Sequence, residues 1–271
     1  HPEFIRADSP THRVGGTISK EFASVTHKYP MLSLANTYSF EELKDFDDRV
    51  KKTLINDPYE YICELKFDGV ALSMTYENGV LVQGATRGDG KQGDDITNNV
   101  KTIKTLPLSV KNNSSFEVRG EGFLPKTEFE RINKEREDIG EQLLANPRNA
   151  ASGTFKMRDS AVVALRNLDC YVYSYNSENN SFDSHEQSFE ALKKLGFKVS
   201  LGYEKCRTID QVFEFITKWE TKRYDLPLDT DGIVIKINSI KQQNQLGFTA
   251  KNPRWAISYK FETENLPTKL I

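Results

Sequence analysis

The sequence predicts an α+β fold, with antiparallel sheets flanked by helices. Three observations carry that prediction. Asn78-Gly79 sits between two strand-like runs in VALSMTYENGVLVQGATRG, the strongest short-range signal for a hairpin. A Ser or Thr followed three residues later by Glu or Gln marks helix starts at Ser39/Glu42, Thr127/Glu130, Ser184/Gln187 and Thr208/Gln211. Strands and helices then follow each other without a regular βαβ rhythm, so the sheets are not parallel ones.

Taken in order, HPEFIRADSPTHRVGG has neither helical nor strand period and reads as a connector. Ser39 opens FEELKDFDDRVKKTLI, in which Leu43, Phe46, Val50 and Leu54 keep a helical spacing. YICELKF is a strand. Side chains two apart share a face, so Tyr61, Cys63, Leu65 and Phe67 form a core side, while Ile62, Glu64, Lys66 and Asp68 form the other. After the hairpin comes ATRGDGKQGDD, whose Gly84, Gly88, Gly90 and Gly93 permit tight turns and whose Arg87 can reach phosphate or ribose. Asp94 or Asp95 caps the helix ITNNVKTI.

The strand FEVRGEGF sets Phe116 and Val118 against Glu117, Arg119 and Glu121. NPRNAASGTFKMR is a loop of small residues presenting Arg148, Lys156 and Arg158. YVYSY puts Tyr171, Tyr173 and Tyr175 on one side, and HEQSFEALKKLG is a helix stopped by Gly196. In DGIVIKIN, Ile233, Ile235 and Ile237 oppose Val234 and Lys236. In WAISYKFE, Trp255, Ile257, Tyr259 and Phe261 oppose Ala256, Ser258, Lys260 and Glu262.

A chain of 271 residues buries a real core as one large domain or two modest ones. With 37 basic and 39 acidic residues it is not a strongly basic nucleic-acid binder, although local basic clusters remain available. No apolar run approaches the ~18 residues of a membrane span, and no signal peptide opens the chain. Cys63, Cys170 and Cys206 are scattered and lack a C-x-x-C pair, which argues against a zinc site or a disulfide framework and points to a reducing, cytoplasmic compartment.

Any one of these charged strand faces alone is an ordinary solvated surface. Pooled in one cleft, their lysines, carboxylates, arginine and tyrosines suit a nucleotide or polyphosphate. Lysines neutralise phosphate, carboxylates hold a hydrated divalent metal, and an aromatic ring stacks on a base.

Glu64-Leu65-Lys66-Phe67-Asp68-Gly69 resembles the K-x-D-G signature of the covalent nucleotidyltransferases. MLSLANTYSFEEL, GATRGDGKQGDDIT, VRGEGF, NPRNAASGTFKMRD, DTDGIVIKIN and LGFTAKNPRWAISYKF follow in the order found in bacterial NAD-dependent DNA ligases, over nearly the whole chain. The resemblance implies a nucleotidyltransferase (ligase/capping-enzyme, ATP-grasp-like) fold around a nucleotide cleft. It implies that Lys66 attacks the adenylyl phosphorus of NAD and carries AMP, with Lys236 and Lys260 supplying positive charge. It places Ser33, Leu34 and Glu64 at the adenine, Tyr173 on the base, and Arg87 and Glu121 at the ribose. Asp68 and Asp231 would orient lysines or water around Mg2+, with Asp231 touching the metal largely through water. Arg119, Arg148, Lys156 and Arg223 would serve later steps or DNA phosphates; where many relatives carry arginine, Lys156 keeps the charge but loses the bidentate fork.

The same resemblance divides the chain into a connector (1–17), an adenylation domain (18–265) and the start of a linker (266–271). It implies a missing N-terminal region for the nicotinamide mononucleotide half of NAD, and a missing OB-fold and zinc module, so that zinc belongs to the full-length enzyme only. The expected partners are nicked duplex DNA for the full-length monomer and NAD, AMP or an adenosine-like inhibitor in the cleft. Use of NAD by the fragment would be weak, and no membrane is involved. The rival readings are an ATP-dependent ligase or capping-type enzyme, and a non-catalytic binding module whose lysines point to separate surfaces.

Overall fold

The computed structural model describes residues 9, 11, 13–14, 21–55, 57–178 and 182–262. The domain boundaries expected at 17/18 and 265/266 lie outside them. In chain order the elements are β1 (Ser24–Thr26), β2 (Asn36–Thr37), α1 (Phe40–Leu54), β3 (Tyr61–Phe67), β4 (Val70–Glu77), β5 (Val80–Thr86), β6 (Gln92–Asp94) and α2 (Thr97–Val100). There follow β7 (Phe116–Phe123), α3 (Lys126–Asp138), α4 (Pro147–Phe155), α5 (Ser160–Ala164), β8 (Asp169–Asn176), α6 (His185–Lys194), β9 (Glu204–Cys206), α7 (Ile209–Lys222), β10 (Thr230–Ile237), α8 (Ile240–Leu246) and β11 (Ala256–Lys260). The class is α+β, as the sequence predicts.

Two sheets dominate, ordered β2-β11-β10-β3-β9 and β5-β4-β7-β8, and a two-stranded ribbon joins β1 to β6. Among the described residues every pairing between named strands is antiparallel except β2 with β11. Helices α1 and α7 cover the five-stranded sheet on the side of Tyr61, Cys63 and Leu65. There Leu43, Phe46, Val50, Phe215 and Ile216 pack with Ile233, Ile235 and Ile237. On the four-stranded sheet Leu72, Met74, Val118 and Val172 pack with Phe155, Val163 and Phe189. Each fully buried aliphatic or aromatic side chain contributes about 1.5–3 kcal/mol. With the apolar faces committed to helices, Glu64 and Lys66 on one sheet and Glu121 on the other are left for a shared polar cleft.

Local chemistry explains most helix starts. Ser39, Ser184 and Thr208 accept from the N–H of Glu42, Gln187 and Gln211, each at 3.2 Å. Those three side chains reach back to the N–H of Tyr38, Asp183 and Arg207. The Thr127/Glu130 box does not form. Helix α3 starts at Lys126 behind Pro125, because the Lys126 N–H is taken by the Pro227 carbonyl at 2.9 Å and Phe129 N–H by Pro125. Neither Asp94 nor Asp95 occupies the cap position of α2; Ile96 does, while Asp95 accepts from the Thr97 N–H and hydroxyl at 2.9 and 2.6 Å. The Asn78-Gly79 hairpin forms as expected, with φ of 49° and 78° as a type I′ turn requires.

A further correction follows from pairing. The register of β7 and β8 shifts between Arg119 and Gly120, where Ser174 and Val172 are their partners, leaving Tyr173 as the extra residue. A bulge inverts the alternation beyond it. Tyr171 therefore stacks between Phe67 and Phe123, at ring distances of 4.8 and 5.4 Å, while Tyr175 lies against Phe116 in the other core. The three tyrosines do not share a side. Gly69 follows β3 where the chain leaves one sheet for the other, and a Cβ there would lie 2.4 Å from the Gly122 carbonyl oxygen. It makes room for β7.

Candidate active site

The polar face of the five-stranded sheet is laid out in rows by its register. Lys66, Gly232 and Lys260 lie opposite one another on β3, β10 and β11. Glu64, Val234 and Ser258 form the next row, and Ile62, Lys236 and Ala256 the one after. All three lysines thus face the same way. Successive rows are two residues apart, so Lys236 is about 13 Å along the sheet from the Lys66 row.

At the first row, Lys66 Nζ donates to both oxygens of Asp231 at 2.9 and 3.0 Å, and Lys260 Nζ donates to one of them at 3.0 Å. Asp231 gets there through an irregularity in β10, whose register shifts between Thr230 and Gly232. Only glycine fits beside it, since a Cβ on Gly232 would lie 2.0 Å from the Tyr259 carbonyl oxygen. Asp68, two residues past the lysine, is held by Arg148 Nη1 at 2.6 Å. Arg148 stands in the first turn of α4, capped by Asn146, so most of the stretch expected to be a loop is a helix, started by the Asn146 cap and the proline behind it.

From the facing sheet Glu121 completes the cluster. Burial pushes its carboxyl up to about 7; Lys66 and Arg148 oppose the rise, and Asp68 and Asp231 reinforce it. Arg87 follows β5, its N–H bonded to the Ala71 carbonyl, and Ala71 lies directly opposite Glu121. The two expected ribose residues therefore flank one strand position.

The second and third rows hold a buried cluster. Lys236 Nζ contacts Glu64 Oε1, lies 3.1 Å from His185 Nε2 and 3.4 Å from the Tyr173 carbonyl oxygen, and sits 5.6 Å from the Tyr173 ring centre. Burial opposes the charge of Glu64, but attraction to Lys236 and bonding to His185 outweigh it and hold the carboxyl below its usual range. Burial, aided by Lys236, likewise lowers the pKa of His185. Lys236 is therefore partnered with Glu64, not placed beside Lys66. His185 has no role in the sequence reading. Its only signal is its position directly after a capping serine, where Asn238 ties down the helix start by accepting from the His185 N–H.

The remaining candidates are spread more widely. Ser33 and Leu34 lie on the segment joining β1 to β2, and the Ser33 carbonyl accepts from Asn252 Nδ2 at 2.6 Å. Arg119 Nε donates to the Glu117 carboxylate, while Nη1 and Nη2 donate to the backbone carbonyls of Pro30 and Tyr29. Lys156 pairs with Asp94 at 3.0 Å. Arg223 stacks on Phe261 and bonds the carbonyl of Thr230, next to Asp231. Direct coordination of a divalent metal does not fit this arrangement. Both oxygens of Asp231 carry ammonium groups, Asp68 carries Arg148, and no cluster of three His, Cys, Asp or Glu side chains suited to a metal occurs among the described residues. Hard cations take several oxygen ligands, so only contact through water is left for Asp231.

The family model for the NAD-dependent DNA ligase adenylation domain matches residues 19–264. A DNA ligase of Cytophaga hutchinsonii is 55% identical over 100% of this chain and 41% of that protein. One of Phocaeicola vulgatus is 54% identical with the same coverage. The chain thus spans about two fifths of the length of these relatives. Among solved structures, an archaeal ATP-dependent RNA ligase aligns at a TM-score of 0.46 and 12% identity, over 86% of this chain and 48% of that one.

Proposed function

The chain belongs to the NAD-dependent DNA ligase adenylation domain family, and from that premise we propose that Lys66 is the residue that receives the adenylyl group of NAD. Nζ attacks the adenylyl phosphorus, the bridging P–O bond breaks, nicotinamide mononucleotide leaves with the electron pair, and a lysyl phosphoramidate remains. The observation that carries this reading is the shared carboxylate of Asp231, which holds Lys66 and Lys260 side by side where the chain passes between the sheets.

An ammonium is not a nucleophile, so Lys66 has to release a proton, and Asp231 is the acceptor in contact with it. Lys260, on the same carboxylate, makes a neutral amine at Lys66 less costly and faces the negative charge that builds on the nonbridging oxygens. Glu121 and Arg87 flank the sugar, and Glu64, Lys236 and Tyr173 form the base end. In the whole protein the AMP passes to the 5′-phosphate of a nick in duplex DNA, which the 3′-hydroxyl then seals. Asp231 would reach Mg2+ only through water, and Arg148, Lys156 and Arg223 serve the DNA steps.

The test is mass spectrometry of the full-length protein after incubation with NAD. An AMP adduct on the Lys66 peptide, absent from Lys66→Ala, is the expected result. An adduct that survives the substitution would overturn the assignment. ATP in place of NAD should give no adduct.

A further inference from the structure

Residues 27–35 form a strap between the two sheets. At one end β1 pairs with β6 beside the glycine-rich loop, and at the other β2 pairs with β11 of the five-stranded sheet. The His27 N–H donates to Lys91 and the Met31 N–H to Gly90, while the His27 ring bonds the Arg87 carbonyl at 3.1 Å. At the far end the Ala35 carbonyl accepts from the Ser258 N–H and the Ser33 carbonyl from Asn252. Ser258 is on the row of Glu64, so Ser33 and Leu34 reach the sheet at the base end of the cleft.

Between these ends the strap crosses β7 over a hollow of about 180 Å³ lined by His27, Tyr29, Ser73, Phe116 and Glu117 among others. Met31 is buried beside the glycine-rich loop. Over β7 the strap is gripped by the Arg119 fork, whose two terminal nitrogens take the carbonyls of Tyr29 and Pro30, with Glu117 fixing the fork through Nε at 2.7 Å. The Arg119 side chain is only 13% exposed, and each of its three nitrogens donates once, two to the strap and one to Glu117. A lysine offers no such planar fork.

We infer that Arg119 is a positioning residue that seats the strap and so sets where Ser33 and Leu34 meet the base of the bound nucleotide. It acts through the strap, not on phosphate. The inference rests on the base-end reading proposed above.

The experiment measures adenosine and inorganic pyrophosphate binding to this chain by calorimetry, with hydrogen exchange of amides 31–35. Pyrophosphate reports the Lys66–Lys260 end and adenosine the base end. Arg119→Ala should weaken adenosine about tenfold, as loss of a charge-assisted bidentate contact does, and speed exchange at 31–35, with pyrophosphate binding unchanged. Arg119→Lys should recover little of the loss. Asn252→Ala loosens the opposite anchor and should cost adenosine about threefold; it serves if Arg119→Ala fails to fold. The inference is overturned if folded variants at both anchors bind adenosine within twofold of wild type, or if adenosine and pyrophosphate weaken together. Failure of the wild-type chain to bind adenosine would instead overturn the base-end reading, before any variant is compared.

Discussion

The two ends of the polar cleft use the same side chains in different surroundings. At the Lys66 end, Lys66, Asp231 and Lys260 are 25%, 24% and 31% exposed, and one carboxylate is shared by two ammonium groups. At the Glu64 end, Glu64, Lys236 and His185 are 3%, 9% and 9% exposed and partner one another closely. Water screens the first cluster, so its ion pairs are weak and exchangeable, as the proposed proton release and phosphate entry at Lys66 would require. The second is desolvated, so each charge depends on its partner and the geometry stays fixed. Under the proposed function, the screened end of the sheet face would be the reacting one and the desolvated end the recognising one.

The sharpest way to break the comparison is to orphan a charge at each end. Lys236→Met leaves Glu64 buried without its cation and should cost about 3–5 kcal/mol, seen as a fall of roughly 6–20 °C in Tm by calorimetry. His185→Gln removes a ring held beside both charges and should cost about 1–3 kcal/mol. Asp231→Ala, in the screened cluster, should cost no more than about 1 kcal/mol while reducing adduct formation at Lys66 severely in the full-length protein. Equal destabilisation by Lys236→Met and Asp231→Ala in chemical denaturation would erase the distinction between the ends.

The smallest effects are in pH, and the ends have opposite signs. Burial holds His185 below its ordinary value of 6.5, so the unfolded chain binds its proton more readily and stability falls as pH drops below 6.5. Glu121 is raised from 4.5 to about 7, so the folded chain binds its proton more readily and stability falls as pH rises from 4.5 through 7. Tm measured from pH 5 to 8 should lose its acid-side slope in His185→Gln. Glu121→Gln should gain roughly 1 kcal/mol at pH 8 after screening, and less at pH 5. Parallel profiles for both variants and wild type would contradict the assignment.

Legibility followed the range of the determining interaction. The alternation in YICELKF separated Cys63 and Leu65 from Glu64 and Lys66 correctly, because side-chain direction in a strand is local. Ser39, Ser184 and Thr208 were readable as caps because donor and acceptor lie three residues apart. Thr127 failed as a cap because a carbonyl a hundred residues on, that of Pro227, claimed the N–H of Lys126. Tyr175 was misplaced because a bulge depends on the partner strand. Arg13, in the stretch read as a featureless connector, donates to the carbonyls of Lys101, Ile103 and Leu106, a contact between segments about ninety residues apart. Arg119 looked like one more cation on a polar face, and only the path of the strap shows what it holds.

The sequence by itself determined the α+β class, the hairpin at Asn78-Gly79, the faces of β3, β10 and β11, and which charged side chains those polar faces carry. It did so because turn dihedrals, caps and the two-residue period of a strand are properties of neighbouring residues. Tertiary structure alone decided that Asp231 joins Lys66 to Lys260, that Lys236 goes with Glu64 and His185, and that Arg119 clamps a strap. Those pairings depend on which strands lie side by side and where a register slips, and they join residues as far apart as Glu64 and Lys236, 172 positions along the chain.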